Sequence, residues 1–205
     1  MLKVYAFSTP NSVKVPIALE EMGLDYELIG VNIRKGAQKA PDFTALNPNA
    51  KVPVLVDGDF VLSESAAILV YLAEKSGQLL PPSGPARARV FEQLFFNASG
   101  LGPAFGNAGF FRKFAPEPIP LAIDRFGGEA LRIVGVLNDL LAKQEFVAGD
   151  ALSIADIVHF SWLWRRQFAE VSIDAAPNVQ RWYDALAARP AFQRAIERTM
   201  ALAEG

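Results

Sequence analysis

The chain has 205 residues, of which 51% are hydrophobic and 20% charged, with a net charge of -2. That balance excludes a natively unfolded chain and the strongly basic field a nucleic-acid binder needs, so no nucleic-acid partner is expected. Cysteine is absent and histidine occurs once, which removes disulfides, protein thiolates and Cys/His metal centres from the available chemistry, so no metal is expected.

At this length two modest domains are expected, each with its own core. Met-Leu-Lys-Val-Tyr leads straight into a strand, and no run of about 18 apolar residues follows. The expectation is a cytoplasmic protein without a membrane partner.

Leu2 to Phe7 reads as a strand, about Ser12 to Met22 as a helix stopped by Gly23, and Tyr26 to Asn32 as a second strand. Pro16 troubles the first helix, because an interior proline loses a hydrogen bond and clashes one turn back, at ~3 kcal/mol. A short helix follows at Pro41 to Leu46. The Asp57-Gly58 pair predicts a hairpin joining Val54–Val56 to Phe60–Leu62, and a helix then runs from Ser65 to about Lys75. Residues 77–85, rich in proline and glycine, read as a linker between domains 1–76 and 86–205.

Beyond the linker, apolar spacing predicts helices at Ala86 to Asn97, Ile119 to Lys143, Ile154 to Ala169, Val179 to Ala188 and Ala191 to Ala203. Everything beyond the linker reads as helical, and between the first two of these helices residues 100–118 mix Gly, Pro and Phe. Ser153 to Asp156 fits a capping box with a structural role. His159, between Val158 and Phe160, reads as a packed or half-exposed histidine rather than a catalytic one.

Residues 51–65 hold the most chemistry. Proline cannot donate to a β-ladder, so Pro53 leaves the backbone of Val52 outside strand pairing. Glu64 supplies a carboxylate, and Ser65 a hydroxyl and the N–H groups of a helix start. Together they suit an amino-acid head group, with the α-ammonium on Glu64 and the carboxylate on the helix start. The same residues also fit an ordinary N-cap, a dipole-paired acid and an edge proline.

A β-α-β-α-β-β-α unit followed by an all-helical one, with Val52-Pro53, Ser63-Glu64-Ser65 and Ser153-x-x-Asp156 in that order, resembles the cytosolic glutathione transferases over the whole chain. Thr9-Pro10-Asn11, Gly36-Ala37-Gln38, Leu101-Gly102-Pro103 and Asp124-Arg125-Phe126 are most similar to the bacterial Nu-class and Ure2-like branch. The resemblance implies a thioredoxin-like N-terminal domain and glutathione as a substrate. It also implies a cis Pro53, with Val52 on the cysteinyl backbone, Glu64 and Ser65 on the γ-glutamyl end, and Gln38 and Lys51 near the glycine end. Arg132 would meet a glutathione carboxylate. The thiol would be ionised by Thr9 and Asn11 as in the Nu-like branch, or by Ser8 as in the serine-type branch. Tyr5 is a weaker candidate that packs in the sheet.

Phe105, Phe110, Phe111, Phe114, Trp164 and Arg165 are candidates for the wall of a second-substrate pocket, with core packing as their other fate. A homodimer is expected by the same resemblance, with Phe91 and Phe95 at the contact. The implied activity is glutathione-dependent disulfide or peroxide reduction, since Thr9-Pro10-Asn11-Ser12 stands where thioredoxins carry C-x-x-C. Two alternatives remain: serine-type conjugation of small electrophiles, and a non-catalytic glutathione- or partner-binding module.

Overall fold

The computed structural model describes residues 1–203. The chain divides into two compact units, one formed by residues 1–80 with 188 onward and the other by 81–187.

The first unit is thioredoxin-like. Strands β1 (Leu2–Ala6), β2 (Tyr26–Gly30), β3 (Val54–Asp57) and β4 (Phe60–Ser63) lie in the order β2-β1-β3-β4. β1 pairs parallel with β2 and antiparallel with β3, and β3 antiparallel with β4. The period-2 rule sends Leu2, Val4 and Ala6 into one core. Tyr5 faces the other side, where it meets Phe43 in a cluster with Val31 and Val54.

Helix α1 (Pro10–Met22) begins two residues earlier than the sequence suggested. Thr9 caps it and Pro10 takes its first turn, where a missing N–H costs nothing. Pro16 is accommodated inside the helix, and Gly23 ends it at φ 66°. After β2, which is two residues shorter than predicted, two 3₁₀ turns (Ile33–Lys35 and Ala37–Lys39) lead into α2 (Pro41–Leu46).

The hairpin is displaced by one residue from its expected register. Asp57 pairs with Phe60 and Val54 with Ser63, so Gly58 and Asp59 form the turn. Gly58, at φ 60°, takes the positive angle that a two-residue turn with glycine first requires. Helix α3 (Ser65–Ser76) follows and packs on α1.

The second unit holds α4 (Gly84–Phe96), α5 (Gly102–Lys113), α6 (Pro120–Leu141), α7 (Ile154–Trp164), α8 (Arg166–Ala169) and α9 (Pro177–Ala187). Residues 100–118, to which apolar spacing assigned no element, hold α5, because α4 runs through a π-turn at Asn97–Leu101 directly into it. The wider turn lies just before Pro103, whose ring would crowd the carbonyl one turn back in a regular helix. Small residues also let α5 pack closely. A side chain at Gly109 would fall within the Phe168 ring, and one at Gly127 of α6 would strike the Arg112 guanidinium.

The helix expected over Ile154 to Ala169 breaks at Arg165. Its start is the predicted capping box. Asp156 is fully buried and accepts from Ser153 N and Val147 N at 2.9 Å and from Trp182 Nε1 at 2.9 Å. Burial raises its carboxyl pKa, while these hydrogen bonds act in the opposite direction. His159 is fully buried beside Phe96, as expected of a packed histidine.

The last helix, α10 (Pro190–Ala201), departs from the predicted boundary of 86–205. It packs on α1 in the first unit. Its apolar face, with Phe192 and Ala195 fully buried, drives the return, and ion pairs frame it: Arg189 forks onto Glu21 at 2.7 Å, and Arg194 and Arg198 both reach Glu20 at 2.9 Å.

Candidate active site

One cleft of about 310 Å³, its open mouth included, is lined by Asn11, Asn47, Lys51, Val52, Pro53, Glu64 and Ser65. The cleft is shallow and open, so a ligand would seat one head group in it and extend outside. Three segments build it: the start of α1, the loop before β3, and the corner between β4 and α3.

The loop is set by Asn47, which is buried, accepts from Asn49 N at 3.1 Å and donates Nδ2 to Lys51 O at 2.8 Å. The Val52–Pro53 bond is cis, the geometry the resemblance implies. Because β3 starts only at Val54, the backbone of Val52 lies outside the ladder at the cleft wall.

At the corner, Glu64 and not Ser65 is the N-cap of α3, and its side chain makes no capping hydrogen bond. Glu64 also holds φ 68°, a left-handed angle that costs a residue with a Cβ about 1–3 kcal/mol. The plain N-cap account therefore fails here, since the strained acid leaves the first N–H groups of α3 uncapped by its carboxylate. Ser65, the first helical residue, adds its hydroxyl to those donors.

On α1, Asn11 reaches the cleft while Thr9 is occupied. Thr9 Oγ1 accepts from Ser12 N at 3.1 Å and donates to Ser12 Oγ at 3.0 Å, and Ser12 Oγ also accepts from Phe7 N at 3.3 Å. Thr9 and Ser12 are thus engaged in the turn that launches the helix. Ser8, 9% exposed, precedes them.

Sequence reasoning missed Lys14. It is 3% exposed, and its Nζ donates to Asn11 Oδ1 at 2.8 Å and to Ser65 Oγ at 3.2 Å. Burial pulls its ammonium down from 10.5 to about 7, and the Glu64 carboxylate pulls it back up. The signal was a lone lysine inside the run Ser12-Val13-Lys14-Val15-Pro16-Ile17, all buried, since lysine enters a core only when paired. Asn47 was legible too, in the turn-forming Asn47-Pro48-Asn49.

Other expected residues lie outside the cleft lining. Gln38 sits on the second 3₁₀ turn with its Oε1 buried and without a hydrogen-bond partner. Arg132 lies on α6 with its guanidinium forked onto Glu129 at 2.8 Å. In the second unit, Phe105 is core, Phe111 stacks on Phe126, Phe110 and Phe114 are exposed, and Arg165 lies over Trp164.

Comparison with known proteins agrees with this geometry. The chain is 38% identical to the disulfide-bond oxidoreductase YfcG of Escherichia coli K12, over 96% of this chain and 94% of that protein. A glutathione transferase family member from Pseudomonas fluorescens Pf-5, solved with two glutathione bound, superposes with a TM-score of 0.92 at 40% identity, covering 96% of this chain and 92% of that one. A glutathione transferase from Pseudomonas putida, solved with one glutathione disulfide per subunit, gives 0.91 at 37% identity, covering 96% and 90%. Residues 1–74 match the glutathione S-transferase N-terminal domain and residues 108–190 its C-terminal domain. A thioredoxin-like sheet with this cleft at the end of its strands, with family matches over residues 1–74 and 108–190, places the protein in the glutathione S-transferase family.

Proposed function

We propose that the protein binds glutathione in the Asn11–Val52–Glu64–Ser65 cleft, activates its thiol, and acts as a glutathione-dependent disulfide-bond reductase. The observation that carries this is the convergence, at one end of the sheet, of a carboxylate, a set of helix-start donors and an unladdered backbone. Glu64 takes the α-ammonium, Ser65 and the α3 start take the γ-glutamyl carboxylate, and Val52 takes the cysteinyl backbone. Lys51 and Gln38 serve the glycine end. Asn11 donates to the sulfur. Residues 1–76 form the glutathione-binding domain in this reading.

The relatives solved with two glutathione molecules or with glutathione disulfide support reduction over conjugation. One thiolate attacks a substrate disulfide and expels a thiol, leaving a mixed disulfide. A second glutathione thiolate then attacks that intermediate, and glutathione disulfide and the second thiol leave. The cysteine-free chain needs no recycling. Hydroxyethyl disulfide and chlorodinitrobenzene assays run side by side test this reading. Robust conjugation with negligible disulfide turnover would overturn it, and alkylated protein freed of reagent should keep full activity. Turnover of neither substrate would favour the non-catalytic module.

In a second reading, as in the serine-type branch, Ser8 assists the sulfur and small electrophiles are conjugated. Glu64→Ala and Ser65→Ala should each weaken glutathione binding about tenfold to a hundredfold, the loss of one charge-assisted hydrogen bond of roughly 1.5–3 kcal/mol. Titration calorimetry reads this, and unchanged affinity would place the head group elsewhere. The reading extends to a cytoplasmic homodimer in which the half-buried Phe91 and the 67%-exposed Phe95 meet the second copy. Among the described residues no helix is long and apolar enough to cross a membrane. Sedimentation as a monomer with activity retained would contradict the dimer.

A further inference from the structure

Lys14 does not line the cleft but stands behind it, bonded to two residues that do. An ammonium only donates, so each partner must turn an acceptor toward it. Asn11 presents Oδ1, which leaves its Nδ2 hydrogens facing away from the lysine. Ser65 presents an oxygen lone pair, which leaves its own hydroxyl hydrogen available.

We propose that Lys14 is a positioning residue whose ammonium fixes Asn11 and Ser65 as donors toward the cleft, aiming one at each end of an anionic peptide ligand. The proposal rests on the glutathione reading for the ligand's identity. Asn11 then meets the thiolate and Ser65 the γ-glutamyl carboxylate, so one buried charge organises both the chemical end and the binding end. A neutral amine accepts as well as donates and imposes no such direction. The site is therefore set by the lysine's proton.

The charged surroundings agree. Glu64, at the corner between β4 and α3, is the charge that favours the ammonium, against a burial strong enough to bring its pKa to about 7. On the other elements packed against α1, the α10 arginines Arg189, Arg194 and Arg198 are taken up by Glu20 and Glu21 at the far end of the helix. A bound carboxylate and thiolate add negative charge near Lys14 and hold its proton.

This arrangement costs stability, and the sign distinguishes it from a structural role. The folded protein releases the Lys14 proton near pH 7 and the unfolded chain keeps it to about 10.5, so the unfolded state binds more protons between those values. The parent accordingly gains stability as pH rises through that interval. Lys14→Met should melt higher than the parent at and below about pH 7, with the difference shrinking toward 10.5. A lysine kept for structure would instead lower the melting temperature when removed.

The test uses the full-length parent, Lys14→Met and Lys14→Arg. In the ligand-free parent, the Asn11 side-chain amide resonances, assigned by their absence in Asn11→Ser, should titrate with the lysine. In Lys14→Met they should not titrate. Lys14→Met should lose about tenfold in both glutathione affinity and turnover, one neutral-range hydrogen bond's orientation at each end. Lys14→Arg should restore most of both and move the alkaline limb of the kcat/KM profile upward, because arginine keeps its charge.

Parent-like affinity, turnover and pH profile in a folded Lys14→Met would overturn the proposal, as would an Asn11 amide that titrates identically without the lysine. A parent that binds no glutathione would instead end the functional reading, and the amide titration would still decide whether Lys14 orients Asn11.

Discussion

Asp156→Ala should destabilise the protein by about 3–5 kcal/mol, because truncation strands four buried donors, Val147 N, Ser153 N, Ser153 Oγ and Trp182 Nε1, each worth roughly 1–3 kcal/mol when left unpaired. Their losses are not fully additive, since the α7 start and the loop at Val147 relax together. Against a typical total of about 5–15 kcal/mol, this is enough to leave much of the protein unfolded at growth temperature. Asp156→Asn should cost about half as much, keeping one acceptor for Val147 and Trp182 but turning a donor toward Ser153 N. Urea unfolding followed by tryptophan fluorescence checks both, and a shift under about 1 kcal/mol for Asp156→Ala would mean that water or a neighbour replaces the carboxylate.

The second large effect concerns chemistry. Lowering a free thiol from about 8.5 by two units requires ~2.7 kcal/mol of preferential thiolate stabilisation. Asn11 is the α1 side chain that both lines the cleft and keeps an amide to donate, whereas Thr9 spends its hydroxyl on Ser12. Asn11→Ala should therefore lower turnover about a hundredfold, the usual loss for one donor aimed at a reacting anion. Ser8→Ala should fall far less. Disulfide reduction and chlorodinitrobenzene conjugation measured for both variants decide the matter. A large loss in Ser8→Ala beside near-normal Asn11→Ala would assign the thiol to the serine.

What the sequence disclosed follows from how local each signal is. The thioredoxin-like order, Pro41–Leu46 and the capping box at Ser153 were readable because caps, turn residues and short periodic runs act over a few residues. The hairpin slipped by one because either Asp57-Gly58 or Gly58-Asp59 makes an acceptable turn, and cross-strand packing of Leu55 with Leu62 chooses between them.

Helix α5 was invisible for the opposite reason. Gly102, Gly106, Gly109 and Pro103 read as breakers, yet the glycines are where Phe168 and Trp162 approach the helix. Tertiary packing overrode propensity. The return of α10 to α1 joins residues about 170 positions apart, through a buried face and its flanking ion pairs, which no local pattern carries.

In the site, Glu64, Ser65 and Val52 were legible because proline and a helix start dictate which backbone groups stay free. Lys14 was not. Sequence habit reads a lysine as solvated, and only its three- and fifty-one-residue separations from Asn11 and Ser65 in the folded chain reveal a buried ammonium between them.

The most direct test of the central claim is the ultraviolet absorbance of the glutathione thiolate, titrated with pH while the peptide is bound to the parent protein. The account predicts an apparent thiol pKa about two units below the free value of ~8.5, with the shift largely lost in Asn11→Ala. A bound thiol that titrates as it does in free solution would contradict it.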